Sequence, residues 1–119
     1  MIERDDAVRL LHTMLSSNVE QCELLQSQLT GLSATTIDEF GSLSLSSTSG
    51  QSAGDLHGVL VDAEAKDVDG VDVYALLHAR DGRIYELEFY RGDGNPILGP
   101  LTDSDFTVVF PVIGRPEGW

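Results

Sequence analysis

Residues 56–91, LHGVLVDAEAKDVDGVDVYALLHARDGRIYELEFYR, decide how this chain is read. Three strand-like runs, 56–68, 71–80 and 83–90, are separated by Asp69-Gly70 and Asp81-Gly82. Asp-Gly between β-forming runs is the strongest short hairpin signal, because a type I′ turn needs positive φ at both central positions. The reading is a three-stranded antiparallel meander. With two-residue turns at both places Val68 pairs with Val71 and Arg80 with Arg83, and the register of every other pair follows.

That register sorts the side chains into two faces. One collects Val59, Val61, Ala63 and Ala65, then Tyr74, Leu76 and His78, then Tyr85, Leu87 and Phe89. It is the expected core side, where small alanines meet large neighbours and the helices lie. His78 reads as a hydrogen-bonded core or rim histidine, not a ligand. The other face carries Leu60, Asp62, Glu64 and Lys66, then Val73, Ala75, Leu77 and Ala79, then Ile84, Glu86, Glu88 and Tyr90. Four carboxylates thus frame an apolar floor of Ala75 and Leu77. Such a face is too apolar for plain solvated sheet and too charged for a second core, so Asp62, Glu64, Ala75, Leu77, Glu86, Glu88 and Tyr90 are the candidate partner-binding residues. The competing arrangements are a homodimer through the same floor and coverage by the 42–54 loop or the C-terminal tail.

Beyond Tyr90 the chain reads YRGDGNP, residues 90–96, and contains an RGD tripeptide. Exposed RGD is an integrin ligand in adhesive proteins. Here it starts at a strand end and runs into a third Asp-Gly, followed by Pro96, which cannot donate to a ladder. A structural turn is expected, with Gly92 and Gly94 supplying backbone freedom and Asp93→Glu nearly neutral. Residues 106–112, FTVVFPV, read as a last strand, placed at an edge by Pro111 and followed by an irregular GRPEGW tail.

Towards the amino terminus, residues 3–16 place Val8, Leu11 and Leu15 at helical spacing behind Asp5 and Asp6, which suit a helix start. Ser17-Asn18-Val19-Glu20 has the form of a capping box, and Val19, Cys22, Leu25, Leu29 and Leu32 extend a second apolar stripe to a stop at Gly31. Cys22 reads as a small core residue. A strand is expected over about 35–46, and the Ser/Gly-rich stretch 46–55 as a flexible loop. That loop has neither the G-x-x-x-x-G-K pattern of a phosphate cradle nor the G-x-S-x-G setting of a nucleophile.

A net charge of −13, from twenty acids against seven bases, repels phosphate backbones and favours a basic protein as partner over nucleic acid. A single cysteine allows no intrachain disulfide and no cysteine-rich zinc site. The start MIERDD has no secretory character, and no run approaches the ~18 apolar residues of a membrane span, so a cytoplasmic protein without membrane contact is expected. Its 119 residues suit a single domain, residues 1–119, comprising a helical start over 3–31 and a sheet over 35–112.

Catalytic and metal patterns are weak. Asp67, Asp69 and Asp72 suggest a calcium loop, but with Gly70 at its sixth position Ala65 and Leu76 occupy the first and twelfth, where carboxylates are needed. Carboxylates two strands apart would sit ~9.5 Å from each other, near the upper end of the inverting-glycosidase range. Tyr90 is the only aromatic platform nearby, and His12, His57 and His78 share no motif. No metal and no cofactor are expected.

The block GVDVYALLHARDGRIYELEFYRGDGNPI, residues 70–97, resembles a family of small uncharacterised bacterial proteins, in which a helical start precedes an antiparallel sheet. The likeness is clearest over 58–100. It implies fold and bacterial origin and brings no activity to carry over. Small acidic proteins of this kind include immunity proteins that neutralise basic toxins, an analogy of size and charge. The expectation is therefore an α+β fold, with one or two N-terminal helices packed on an antiparallel sheet of four to six strands. Its expected role is a non-enzymatic interaction module, immunity-like or regulatory; the alternative is a small enzyme using the carboxylates of the acidic face.

Overall fold

Antiparallel pairing joins six strands in the computed structural model, which describes residues 2–16 and 22–111. They are β1 (Ser33–Thr36), β2 (Leu43–Ser46), β3 (Gly58–Lys66), β4 (Asp72–Arg80), β5 (Arg83–Arg91) and β6 (Thr107–Pro111), in the spatial order β1-β2-β5-β4-β3-β6. Two helices, α1 (Arg4–Leu15) and α2 (Cys22–Ser27), precede the sheet. The expected α+β architecture is what the chain adopts, and β6 with its Pro111 is an edge strand.

Helix α1 buries Ala7, Leu10, Leu11, Met14 and Leu15, a stripe at i, i+3, i+4, i+7 and i+8, while Val8 sits half-buried at its margin. Leu25 of α2 joins the same core. Gly31, at φ 70°, supplies the expected stop after that helix. The proposed capping box Ser17–Glu20, the side chain of Cys22 and the GRPEGW tail lie outside the described residues.

The strand expected over 35–46 is instead a hairpin, β1 paired to β2. Asp38 interrupts it: its carboxylate accepts from the backbone N–H groups of Phe40 and Ser42, at 2.9 and 3.1 Å, turning the chain back before Leu43. The Ser/Gly-rich stretch is a loop as expected, but it is tied down. The Arg83 guanidinium donates to the carbonyls of Ser47, Ser49 and Gly50. Fully buried Gln28 donates to the carbonyls of Gln51 and Gly82 and accepts from the N–H of Ile84. One amide thus joins the residue after α2, the loop and the β4–β5 turn.

The β4–β5 turn is the two-residue turn expected, with Asp81 at φ 52°, Gly82 at φ 77° and Arg80 opposite Arg83. The β3–β4 turn is not. Its last ladder pair is Lys66 with Asp72, leaving residues 67–71 as a five-residue loop. Ala63 therefore faces Ala75 instead of Leu76, a slip of one residue, and a one-residue slip inverts a strand. Strand β4 buries Val73, Ala75, Leu77 and Ala79 and turns Tyr74, Leu76 and His78 outward.

A second irregularity keeps β5 as expected beyond Tyr85, whereas Ile84, expected outward, is buried. Between the pairs Ala79–Ile84 and His78–Glu86 the strand carries one extra residue, Tyr85, as a β-bulge. Beyond it Leu87 and Phe89 point into the core beside Val61, Ala63 and Ala65 of β3, while Glu86, Glu88 and Tyr90 point outward with Asp62 and Glu64. The outer-face assignments of Leu60, Val73, Ala79 and Ile84 are corrected here, and so are two of the proposed partner-binding residues: Ala75 and Leu77 are wholly buried core residues and cannot be a surface floor.

Past β5, Gly94 takes φ 79° with open space where a Cβ would project, so the backbone alone requires glycine. Gly94→Ala should cost about 1–2 kcal/mol, the penalty of a left-handed L-residue, read as a lower urea midpoint at unchanged m-value. Gly92 has no such requirement, because its φ lies outside the left-handed region.

Candidate functional site

Tyr74, Leu76 and His78 form a central line on the outer face, and pairing sets their neighbours. Asp62 lies beside Leu76, and Glu88 on its other side. Glu64 flanks Tyr74, which meets Tyr90 across the next strand. His78 is opposite Glu86, and Ser44 of β2 continues that row. The four carboxylates expected on one face do share it, together with Tyr90. The floor beneath them is Leu76 and two aromatic residues instead of Ala75 and Leu77.

These side chains are half-buried and engage one another. The Tyr74 and Tyr90 rings stack with centroids 5.1 Å apart. Burial pushes both phenols up, reinforced at Tyr74 by Asp72 and Glu64 and at Tyr90 by Glu88 and Asp62. His78 Nε2 lies 2.9 Å from Glu88 Oε1, and its ring is tilted against Tyr85 at 6.0 Å. The Arg80 guanidinium sits over the Tyr85 ring, 4.4 Å from its centroid. His78, expected in the core, is thus on the acidic face. At the β6 edge, Glu64, Lys66, Asp72, Asp105, Thr107 and Val109 border a groove of about 290 Å³, in which Lys66 is paired with Asp72.

The remaining acids of the central region have a different task. Arg91, the arginine of RGD, is only 5% exposed. Its Nε donates to Asp93 Oδ1, Nη1 to Asp67 Oδ2 and Asp69 Oδ1, and Nη2 to Asp69 Oδ2 and Asp93 Oδ2, all at 2.8–2.9 Å. All five guanidinium donors are used, so none remains for an outside ligand. Asp67 in turn accepts from the backbone N–H groups of Val68, Leu98 and Gly99. The RGD segment is a structural corner clamping the β3–β4 loop to the chain after β5. Asp93 belongs to that clamp and also caps Asn95 N–H, so the neutrality expected of Asp93→Glu is withdrawn.

The clamp makes stability depend on acid. Burial pushes the Asp67 carboxyl up, but its donors, Leu98 N–H and Arg91 foremost, outweigh it and hold it well below the usual range. Hydrogen bonding to Arg91 likewise lowers Asp69 and Asp93. Groups depressed in the folded state bind protons more readily once unfolded, so their stabilisation is complete above the unfolded value of ~4 and is lost as pH falls below it. The urea midpoint should hold from pH 7 to 5 and fall steeply below about 4, and Asp67→Asn should flatten that fall. A profile identical in both proteins would remove Asp67 from the account.

In the sequence Asp67 figures only within a calcium loop that lacks its terminal carboxylates, and the clamp with Arg91 is not foreseen. The available signal was the one acid-rich turn lying near an arginine at a strand end, but nothing local pairs them. Among the described residues no helix is long and apolar enough to cross a membrane. Residues 3–100 match the model of a family described as a domain of unknown function, DUF6984. No curated protein and no solved structure matches the chain. The family match takes in the helical start as well as the strands that carried the resemblance, and it stops short of β6.

Proposed function

For a chain that belongs to the DUF6984 family of unknown function, we propose a non-enzymatic, cytoplasmic interaction module, immunity-like or regulatory, whose outer sheet face binds a basic protein. One observation carries the reading: Leu76 and the stacked Tyr74–Tyr90 pair lie within a frame of Asp62, Glu64, Glu86 and Glu88 on one half-exposed face. Aromatic and aliphatic surface at the centre supplies affinity when desolvated, and tyrosine loses little side-chain entropy on binding. The surrounding carboxylates and the net charge of −13 steer a cationic partner and speed encounter. The acids of the clamp, by contrast, have their carboxylates engaged by Arg91 and lie apart from this frame.

The double variant Glu86→Lys with Glu88→Lys is the test. Both side chains are on the outer face, so the variant should fold with an unchanged far-ultraviolet spectrum. Wild-type protein used as bait in an extract of the native host, with EDTA present, should retain a basic protein that the variant releases. The purified partner should then bind the variant at least about tenfold more weakly, and the wild type more weakly as salt rises. Equal binding by both proteins would place the interface elsewhere. Self-association of the wild type alone would make the face a homodimer contact.

A further inference from the structure

We infer that His78, Glu86 and Glu88 form a binding site for a divalent transition cation of the zinc type. Each residue can offer one donor atom, and the three atoms lie within 4.8 Å of one another. Among the described residues this is the only group of three or more histidine, cysteine or acidic side chains arranged in that way. The inference concerns the acidic face but does not depend on that face binding a protein.

The backbone builds the cluster. Glu86 and Glu88 alternate on β5, and His78 lies directly opposite Glu86 on β4. That pairing exists because the bulge at Tyr85 shifts the register by one; without it, Glu86 would oppose Leu77. Bulges that re-aim side chains are common beside functional sites. The site is also partly sheltered, the His78 side chain being 19% exposed.

Electrostatics point the same way. His78 is engaged by Glu88, whereas Glu86 has no hydrogen-bond or ion-pair partner among the described residues. Two carboxylates are thus held close together, with Asp62 and Glu64 on the same face and with Arg80 drawn aside over Tyr85. A bound cation relieves that repulsion. The more conspicuous acids, Asp67, Asp69 and Asp93, cannot serve this purpose because Arg91 already occupies the space between them.

The donor set selects the ion. One imidazole nitrogen with two carboxylates suits zinc and its first-row neighbours, whereas magnesium and calcium prefer oxygen alone. Donors around tetrahedral zinc lie about 3.3 Å apart at bond lengths of ~2.0–2.1 Å, so the two glutamate side chains need small rotations to close on the ion. Three protein ligands leave a fourth position for water or for a donor from another molecule.

The test is calorimetric titration with zinc chloride, and with magnesium chloride as the contrast, against the full chain. One equivalent of zinc should bind, with magnesium much weaker, and zinc should shift the imidazole nitrogen resonances of His78 in a proton–nitrogen spectrum. His78→Gln and, separately, Glu86→Gln should each weaken zinc binding by about tenfold or more, while Glu64→Gln and His57→Gln leave it unchanged. Should His78→Gln not fold, Glu86→Gln and the His78 resonance decide the matter. No saturable zinc binding below about 1 mM would overturn the site, as would undiminished affinity in Glu86→Gln or an unmoved His78 resonance.

Discussion

Asp67→Ala is expected to lower the melting temperature by roughly 10–20 °C, since removing one partner of a buried ion pair costs about 3–5 kcal/mol in a domain of this size. The substitution removes the one wholly buried carboxylate that pairs with Arg91 and leaves the N–H groups of Val68, Leu98 and Gly99 without their acceptor. Asp93→Glu should destabilise less, because its carboxylate lies at the exposed side of the clamp, yet it breaks the two-pronged contact with Arg91. Arg91→Lys should be worse than Asp93→Glu, as a single ammonium cannot satisfy three carboxylates in a fork geometry. Thermal melts of these variants measure the order directly. A fall of less than about 2 °C for Asp67→Ala would mean that solvent replaces the clamp at little cost. The same order bears on the RGD tripeptide: its arginine is consumed internally, so its residues act through folding.

What the sequence disclosed was the local part of this fold. Asp81-Gly82 announces its turn because both residues carry the positive φ the turn requires, and nothing distant alters that. Helix α1 was legible from the spacing of Leu11 and Leu15, although Ala7, Leu10 and Met14 complete a stripe that Val8 only borders. The β3–β4 turn failed for the opposite reason. Asp69-Gly70 has the same dipeptide, but Asp67 is drawn out of the ladder by Arg91, 24 residues away, and by the N–H groups of Leu98 and Gly99, 31 and 32 residues away. Long-range charge pairing overrode turn propensity, and one residue of slip inverted β4. The bulge at Tyr85 was equally silent, since a bulged strand and a regular one read alike over so few residues. The acids of the outer face were still identified because β3 from Val61 onward and β5 beyond Tyr85 kept their expected sides. The inverted strand carried the choice of Ala75 and Leu77, and the irregularities near Val59 and at Tyr85 turned Leu60 and Ile84 into the core.

Leu77→Lys should abolish folding, whereas Leu76→Lys should leave a folded protein with at most a small loss of stability. The two leucines are adjacent in sequence and face opposite sides of the sheet: Leu77 is wholly buried among β3, β4 and β5, and Leu76 is half-buried between Asp62 and Glu88. A lysine at 77 would place an unpaired charge in the core, a cost that exceeds the stability of a domain this small. A lysine at 76 would find two carboxylates beside it. Even the gentler pair separates them, for Leu77→Ala should cost about 2–5 kcal/mol through cavity formation, against less than about 1 kcal/mol for Leu76→Ala. The two-residue turn at Asp69-Gly70 would reverse this order, so circular dichroism and urea unfolding of four proteins decide the register. A signal was in fact present: positions 73, 75, 77 and 79 are Val, Ala, Leu and Ala, without a polar atom in any side chain, whereas 74 and 78 are Tyr and His. The wholly apolar parity belongs to the core, and parity within a strand is a stronger guide to its facing than the turn that introduces it. The consequence reaches function, because Leu76→Lys also puts a positive charge at the centre of the acidic face. It should therefore fold and yet bind a basic partner more weakly, separating the structural role of β4 from the recognition role of its outward side.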